Sequence, residues 1–209
     1  MNRIQSIMCC VIGCCLPAVS IAQISPDQLA KIEAAVPKTA RVVPQKLRKV
    51  LIWNTPFMDK SPHKGYTIPH SELAFRLMGQ RTKAYEPIVS DDVAMFLPDN
   101  LRKFDAIVLN NSDGPWIRPT EKDMGKFISI GTDIDIVEKI LRQSLLDWVA
   151  SGHGIVAFHF AIGANTHWPQ FQELLGAAYS GHPWNEEVGV KIEDPTHPLL
   201  AAFGGKDFR

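Results

Sequence analysis

The feature that most constrains this chain is an alternation of short, continuous apolar runs with amphipathic helical patterns. Three runs read KVLIWN (49–54), FDAIVLNN (104–111) and GIVAFH (154–159). Runs of this kind are typical of strands buried on both faces of a parallel sheet. Residues 136–151 show the i, i+3, i+4 spacing of an amphipathic helix. The alternation predicts an α/β fold with a doubly wound, mostly parallel, flavodoxin-like sheet.

Weaker signals place the remaining elements. The predicted elements are a short helix starting near Ser25, a helix over 71–79, a strand over 82–89, a helix over 168–175 and an edge strand over 188–193. Residues 112–135 contain glycine, proline and charge without clear periodicity. They are therefore predicted to form a long loop that passes over the carboxyl edge of the sheet.

The first residues, 1–22, have the layout of a secretory signal peptide. Arg3 precedes an apolar run that ends in small residues, so cleavage after Ala22 is predicted. The run is broken by Pro17 and is shorter than the roughly 20 residues of a membrane-spanning helix. A lipobox-like stretch ending at Cys14 leaves lipoprotein anchoring as an alternative. The chain is therefore expected to be exported to the periplasm or the cell exterior.

Composition excludes several functions for the mature chain. All the cysteines lie within the leader, at Cys9, Cys10, Cys14 and Cys15. Cleavage would therefore leave no thiol for a disulfide, a nucleophile or a metal. The 22 basic and 22 acidic residues balance, which gives no electrostatic footprint for nucleic acid.

The mature part is predicted to be a linker followed by one domain. Residues 23–47 are polar and contain a short helical pattern before two prolines, which is typical of a linker. Residues 48–209 hold all the predicted strands, and a chain of 209 residues is long enough for one sizeable core.

His159 is the most informative single residue. It follows an apolar strand and precedes a turn into a helix, where α/β enzymes often present a nucleophile. A histidine there suits a general acid or base, or a ligand to a metal. A histidine that only caps the strand with a hydrogen bond to the backbone is an equally good interpretation.

Polar residues at other strand ends are candidates for substrate binding. In a doubly wound sheet the ligand site lies outside the carboxyl ends of the strands. The substrate-binding candidates are Asn110, Asn111, His182 and Trp184. Stacking on a sugar ring is one use for an exposed indole such as that of Trp184.

Three histidines from different segments give a candidate metal site. His63, His159 and His182 follow predicted elements that end at one sheet edge, and three imidazoles suit a divalent ion such as zinc. Asp59 or Glu186 is the candidate for a further ligand or for a partner to an imidazole N–H. Each histidine alone also fits an ordinary turn or surface position.

The tryptophans have two interpretations. Trp148 falls on the apolar face of the helix over 136–151 and is predicted to be core. Trp116, Trp168 and Trp184 fall in loops or turns. They are either sugar-stacking surfaces or loop-packing residues.

An ordered set of motifs resembles one known family. The motifs are KVLIWN, GYTIP, LAFRLMGQRTKAYEPIVSDDVAMF, NLRKFDAIVLNN, SLLDWVASGHGIVAFH, SGHPW and DPTHPLLAAFGGKDF. Over residues 48–209 they resemble the ThuA-like family of trehalose-utilisation proteins. The resemblance implies the fold of class I glutamine amidotransferases and a role in sugar catabolism, so a small-molecule sugar is the expected partner. It also implies that His159 replaces the amidotransferase cysteine, so glutaminase chemistry is not expected.

The sequence departs from the family pattern in three places. Gly65 stands at the position of a family histidine, and Ile162-Gly163 replaces a polar Thr-Asp pair. The chain stops at Arg209, before the family's Asp-Glu-x-Tyr segment, so a truncated C-terminus and lower solubility are expected. The interpretations left open are a sugar hydrolase, isomerase or lyase, and a non-catalytic carbohydrate-binding module.

Overall fold

The protein is described by a computed structural model that covers residues 24–55, 68–182 and 184–209. Its centre is a four-stranded parallel sheet in the order β2-β1-β3-β4. The strands are β1 (Lys49–Trp53), β2 (Glu86–Ser90), β3 (Ala106–Asn110) and β4 (Gly154–Phe158). The predicted α/β fold with a parallel, flavodoxin-like sheet is therefore confirmed.

Helices flank the strands in sequence. They are α1 (Pro26–Ala35), α2 (Ile68–Thr82), α3 (Pro98–Leu101), α4 (Ile134–Ala150) and α5 (Pro169–Leu175). Short 3₁₀ helices cover Val93–Phe96, Glu121–Lys126, His159–Ile162 and Pro198–Phe203. In the described part of the chain, none of the helices has the length and apolar character needed to cross a bilayer.

Local capping explains where the main helices begin and end. Helix α1 starts next to Ser25, as the sequence predicted, and Ser25 and Gln28 form a capping box there. Asp133 caps α4 by accepting hydrogen bonds from the N–H groups of Asp135 and Ile136, so α4 starts at Ile134 rather than at 136. Gly176 ends α5 at a φ of 72°, which a residue without Cβ adopts readily.

The core lies between one face of the sheet and α4. From the sheet, Leu51 and Trp53 of β1 enter the core, with Ile107 and Leu109 as their partners on β3. Four core side chains of α4 follow helical spacing, namely Val137, Leu141, Leu145 and Trp148. Trp148 is 6% exposed, which confirms its predicted place in the core.

The opposite face of the sheet is covered by α2. Ile52 and Val108 are buried on this face. Phe75 of α2 meets Phe158 of β4 edge to face, with 5.5 Å between the ring centroids. Helices therefore pack on both faces, as the doubly wound pattern predicted.

One predicted strand is absent and one is shifted. Residues 188–193 make only an isolated antiparallel bridge between Val190 and Phe208, so the predicted edge strand was wrong. Val188, Val190 and Ile192 alternate as a strand face would, but Val188 and Val190 stay exposed and the segment pairs with no strand of the sheet. The strand predicted over 82–89 begins later because α2 continues to Thr82, and the hydroxyl of Tyr85 donates to the carbonyl of Phe75 at 2.6 Å.

The described chain forms two compact units, one ending at Ala178 and one over Tyr179–Arg209. The sheet and the core belong to the first unit. The second unit contains the Val190–Phe208 bridge and the 3₁₀ helix Pro198–Phe203.

The amino-terminal ends of β1 and β3 are joined by Asp105. Its carboxylate accepts hydrogen bonds from Arg48 Nη1 at 2.8 Å and from the Lys49 N–H at 2.9 Å. Lys46 Nζ lies 3.0 Å away. These interactions, led by the one with Arg48, hold the pKa of Asp105 well below its usual range.

We expect Asp105→Asn to lower the free energy of unfolding by about 1–2 kcal/mol at neutral pH, because charge-assisted hydrogen bonds are lost. A carboxyl whose pKa is lowered on folding stabilises the protein above its unfolded pKa of about 3.9, and less as pH falls below that value. The difference between the two proteins should therefore shrink below about pH 4. Urea unfolding at several pH values measures it, and a difference independent of pH would contradict the assignment.

Candidate functional site

The candidate site lies at the carboxyl edge of the sheet, where the strand order changes direction. From β1 the chain passes first to β2 on one side and later to β3 on the other. In sheets of this order the ligand crevice opens between the carboxyl ends of β1 and β3. Asn54 follows β1, and Asn110 ends β3, so both lie at this crevice.

A buried hydrogen-bond network joins these strand ends to the first turns of α2. Asn110 Nδ2 donates to Asn54 Oδ1 at 2.9 Å, and Asn54 Nδ2 donates to Glu72 Oε2 at 2.7 Å. The hydroxyl of Ser71 donates to Asn110 Oδ1 at 2.6 Å. Asn110 is fully buried. Asn110, which was predicted to bind substrate, therefore forms its hydrogen bonds with neighbouring protein groups. It is part of the floor of the crevice.

Glu72 is the ionisable member of this network. It is 2% exposed, and burial raises its pKa above the usual value for a glutamate. The hydrogen bond from Asn54 and the nearby charge of Arg76 act in the opposite direction. A carboxyl with a raised pKa beside a crevice is able to exchange a proton at milder pH than an exposed carboxyl.

His159 sits at a chain reversal between β4 and the 3₁₀ helix that follows. Its φ is 54°, a left-handed conformation that is uncommon for residues other than glycine. Asn111, the first residue after β3, is also left-handed at φ 52°. Both reversals lie on neighbouring strands, since Asn110 pairs with Phe158. The predicted turn from strand to helix at His159 is therefore present.

Asn111 connects the two reversals through one amide oxygen. Its Oδ1 accepts a hydrogen bond from the N–H of Phe160 at 3.1 Å and lies 2.5 Å from His159 Nδ1. An atom that accepts from a backbone N–H is an oxygen, so the imidazole donates from Nδ1. In the neutral ring, Nε2 is then the basic nitrogen. The predicted binding residue Asn111 thus orients His159.

The segment after the elbow is closely packed. Gly163 ends the 3₁₀ helix His159–Ile162, and a Cβ at this position would lie 2.7 Å from the ring of Phe160. An aspartate at 163 would have to displace that ring. The packing around Gly163 therefore explains why this chain lacks the aspartate of the family's Thr-Asp pair.

The other predicted site residues lie in different parts of the chain. His182 and Trp184 belong to the second unit, where His182 Nδ1 hydrogen-bonds with the hydroxyl of Tyr179. Trp184 is 72% exposed. His63 and Asp59 lie outside the described residues.

The predicted three-histidine metal site stays a prediction. Within residues 24–55, 68–182 and 184–209, no group of three or more His, Cys, Asp or Glu side chains is placed to hold a metal ion. That set does not include His63. Elemental analysis of the purified chain checks the prediction, since a site of this type would retain stoichiometric zinc.

Two of the three loop tryptophans pack in the core rather than facing a ligand. Trp116 is fully buried, and Trp168 is 3% exposed. Both rings contact Phe171, with centroid distances of 5.6 Å and 5.1 Å. Loop packing is therefore the correct interpretation for Trp116 and Trp168. For the exposed Trp184, stacking on a sugar stays a prediction.

Sequence reasoning missed Ser71 and Glu72, which complete the network at the crevice. The signal was a glutamate four residues after Ile68, because both positions share one helix face. Ile68 and Glu72 are both buried in the structure. A carboxylate on a buried face needs polar partners, and these come from strand ends that are distant in sequence.

Comparisons with known proteins agree with this architecture. The profile of the ThuA family, described as trehalose utilisation, matches residues 49–208. A crystal structure of a ThuA-like protein from Bacteroides uniformis superposes with a TM-score of 0.51 at 19% sequence identity, over 78% of this chain. This chain spans 58% of the length of that protein. No curated protein sequence matches the chain.

The family profile covers most of the chain and all four strands, and the solved relative shares the fold. The chain therefore belongs to the ThuA family of trehalose-utilisation proteins.

Proposed function

We propose that this chain is an exported ThuA domain that acts on trehalose, a related disaccharide or a keto-sugar derived from one. His159 serves as its acid/base group or as a ligand to the substrate. The observation that carries the proposal is the hydrogen bond between His159 Nδ1 and Asn111 Oδ1. It sets the tautomer of an exposed imidazole beside the crevice of a doubly wound sheet.

The mechanism needs a group that accepts a proton from the sugar and returns it. Nε2 of His159 supplies such a group, and the sugar hydroxyls or a carbonyl supply the proton or accept it. Proton transfer of this kind is common to hydrolysis, isomerisation and elimination on sugars. Glu72 lies beneath the crevice and holds Asn54 in place.

The same residues argue against a glutaminase. Amidotransferases of this fold attack glutamine with an elbow cysteine, and here the elbow residue is His159. An imidazole cannot form the thioester on which that chemistry depends. Ammonia release from glutamine is therefore not expected.

A non-catalytic carbohydrate-binding module is the second candidate. It is favoured by Trp184, whose exposed indole offers a stacking face for a sugar ring. The loss of the polar pair at Ile162-Gly163 also favours it.

One screen separates the two candidates. The purified chain is titrated with disaccharides and their keto derivatives by calorimetry, and each mixture is then analysed for products. Turnover of any sugar supports the enzyme, whereas binding without product supports the module. If the chain neither binds nor converts any sugar of the panel, the proposal is rejected.

Export is the remaining part of the proposal. It is supported by the leader-like residues 1–22. Expression in a Gram-negative host should yield a periplasmic chain whose first residue is Gln23, as read by mass spectrometry. An intact leader on cytoplasmic protein would contradict export, and a lipid-modified Cys14 would identify the lipoprotein alternative.

A further inference from the structure

A cleft of about 540 Å³ lies in the first unit, at the side of α4. Its walls are formed by Arg118, by the first half of α4, and by residues 167–170 before and at the start of α5. Neither His159 nor the asparagines of the crevice line this cleft. It is therefore separate from the candidate site described above.

The charges in the cleft favour an anion. Three of the lining side chains are cationic, namely Arg118, Lys139 and Arg142, and two are carboxylates, Asp135 and Glu138. His167 also lines the cleft, and its Nε2 accepts a hydrogen bond from Arg142 Nη2, since a guanidinium only donates. Glutamine side chains at 143 and 170 provide neutral donors.

The two guanidinium groups are held in place by one buried carboxylate. Glu138 is 6% exposed and accepts hydrogen bonds from Arg118 Nη1 and Arg142 Nη2. Arg142 also lies over the indole of Trp168, 5.2 Å from the ring centroid. Glu138 and the exposed Asp135 together offset the two guanidinium charges, so the net positive charge of the lining is that of Lys139.

The remaining partner of Arg118 is easily displaced. Arg118 Nη1 lies 2.6 Å from Asp135, whose side chain is 76% exposed. Exposed ion pairs contribute little to stability. A carboxylate or phosphate entering the cleft can replace Asp135 and retain a charge-assisted hydrogen bond to the guanidinium.

We propose that this cleft binds a small molecule carrying a carboxylate or a phosphate, such as a sugar acid or a sugar phosphate. The fixed guanidinium groups recognise the planar or tetrahedral oxyanion. The glutamine side chains contact its hydroxyl groups. The site is independent of the reaction proposed for His159.

The test is calorimetric titration of the full chain with D-glucuronate and with inorganic phosphate. D-Glucose serves as the neutral control and is expected not to bind in this cleft. Arg118→Gln should weaken binding by about 10- to 100-fold, because a hydrogen bond between charged groups is lost. Lys139→Gln, which changes an exposed side chain, should weaken it in the same direction.

Arg102→Gln is the matched control, since Arg102 forms an exposed ion pair with Asp99 at the end of α3 and does not line the cleft. It should bind both probes as the unchanged protein does. Binding of glucuronate alone identifies the carboxylate, and binding of phosphate alone identifies the phosphate. The proposal is overturned if neither probe binds, or if binding survives both Arg118→Gln and Lys139→Gln unchanged.

Discussion

Replacing Trp116 with alanine is expected to lower the free energy of unfolding by about 3–5 kcal/mol, the range for deleting a buried aromatic side chain. Trp116 is fully buried. Its ring packs against Phe96, Phe171 and Trp53, at centroid distances of 5.2, 5.6 and 6.5 Å. These partners come from distant segments, so the indole joins the β1 end to α5. The loss should appear as a fall in melting temperature of about 2–4 °C per kcal/mol.

Trp184→Ala is the matched control. Its indole is 72% exposed, and surface substitutions usually change stability by no more than about 0.5 kcal/mol. Urea unfolding followed by circular dichroism compares the two variants. If Trp116→Ala unfolded at the same urea concentration as Trp184→Ala, the central role of Trp116 in the core would be disproved.

His159→Asn is expected to lower turnover of the sugar identified by the screen by about 10²–10⁴-fold, the usual contribution of a positioned acid or base. Asparagine tolerates the left-handed backbone of this position. Its Nδ2 can also donate to Asn111, as Nδ1 of His159 does. The variant should therefore fold normally and lose only the imidazole nitrogen that transfers the proton.

His153→Asn provides the control for that experiment. His153 precedes β4 and stacks on Trp148, with 4.5 Å between the ring centroids. It should retain full turnover. Equal turnover in both histidine variants would rule out acid/base catalysis by His159. If the screen finds binding only, His159→Asn should instead weaken affinity by about tenfold, the value of one hydrogen bond to the ligand.

The parts of the fold that depend on local pattern were predictable from the sequence. The strands β1, β3 and β4 are continuous apolar runs, and α4 shows regular helical spacing. For β1 and β3 the apolar run also reported burial, whereas Val156 and Phe158 of β4 are 49% and 41% exposed, so the predicted burial of β4 on both faces was wrong. The elbow at His159 was predictable for the same reason, since an apolar strand stops there and a turn must follow.

The parts that depend on distant contacts were not predictable in this way. Trp116 sits in a segment without periodicity, and its burial is decided by side chains far along the chain. The network of Asn54, Glu72 and Asn110 likewise requires the register of β1 against β3 and the placement of α2. The pattern marked Asn54 and Asn110 as strand ends, but it did not show that they contact each other.

The hydrogen bonds accepted by the amide oxygen of Asn111 bear on which residues can occupy position 159. It holds the backbone N–H of Phe160 as well as the ring of His159, and the first of these bonds does not depend on the residue at 159. The bend is therefore maintained by its neighbours, and the side chain displayed on it can be exchanged.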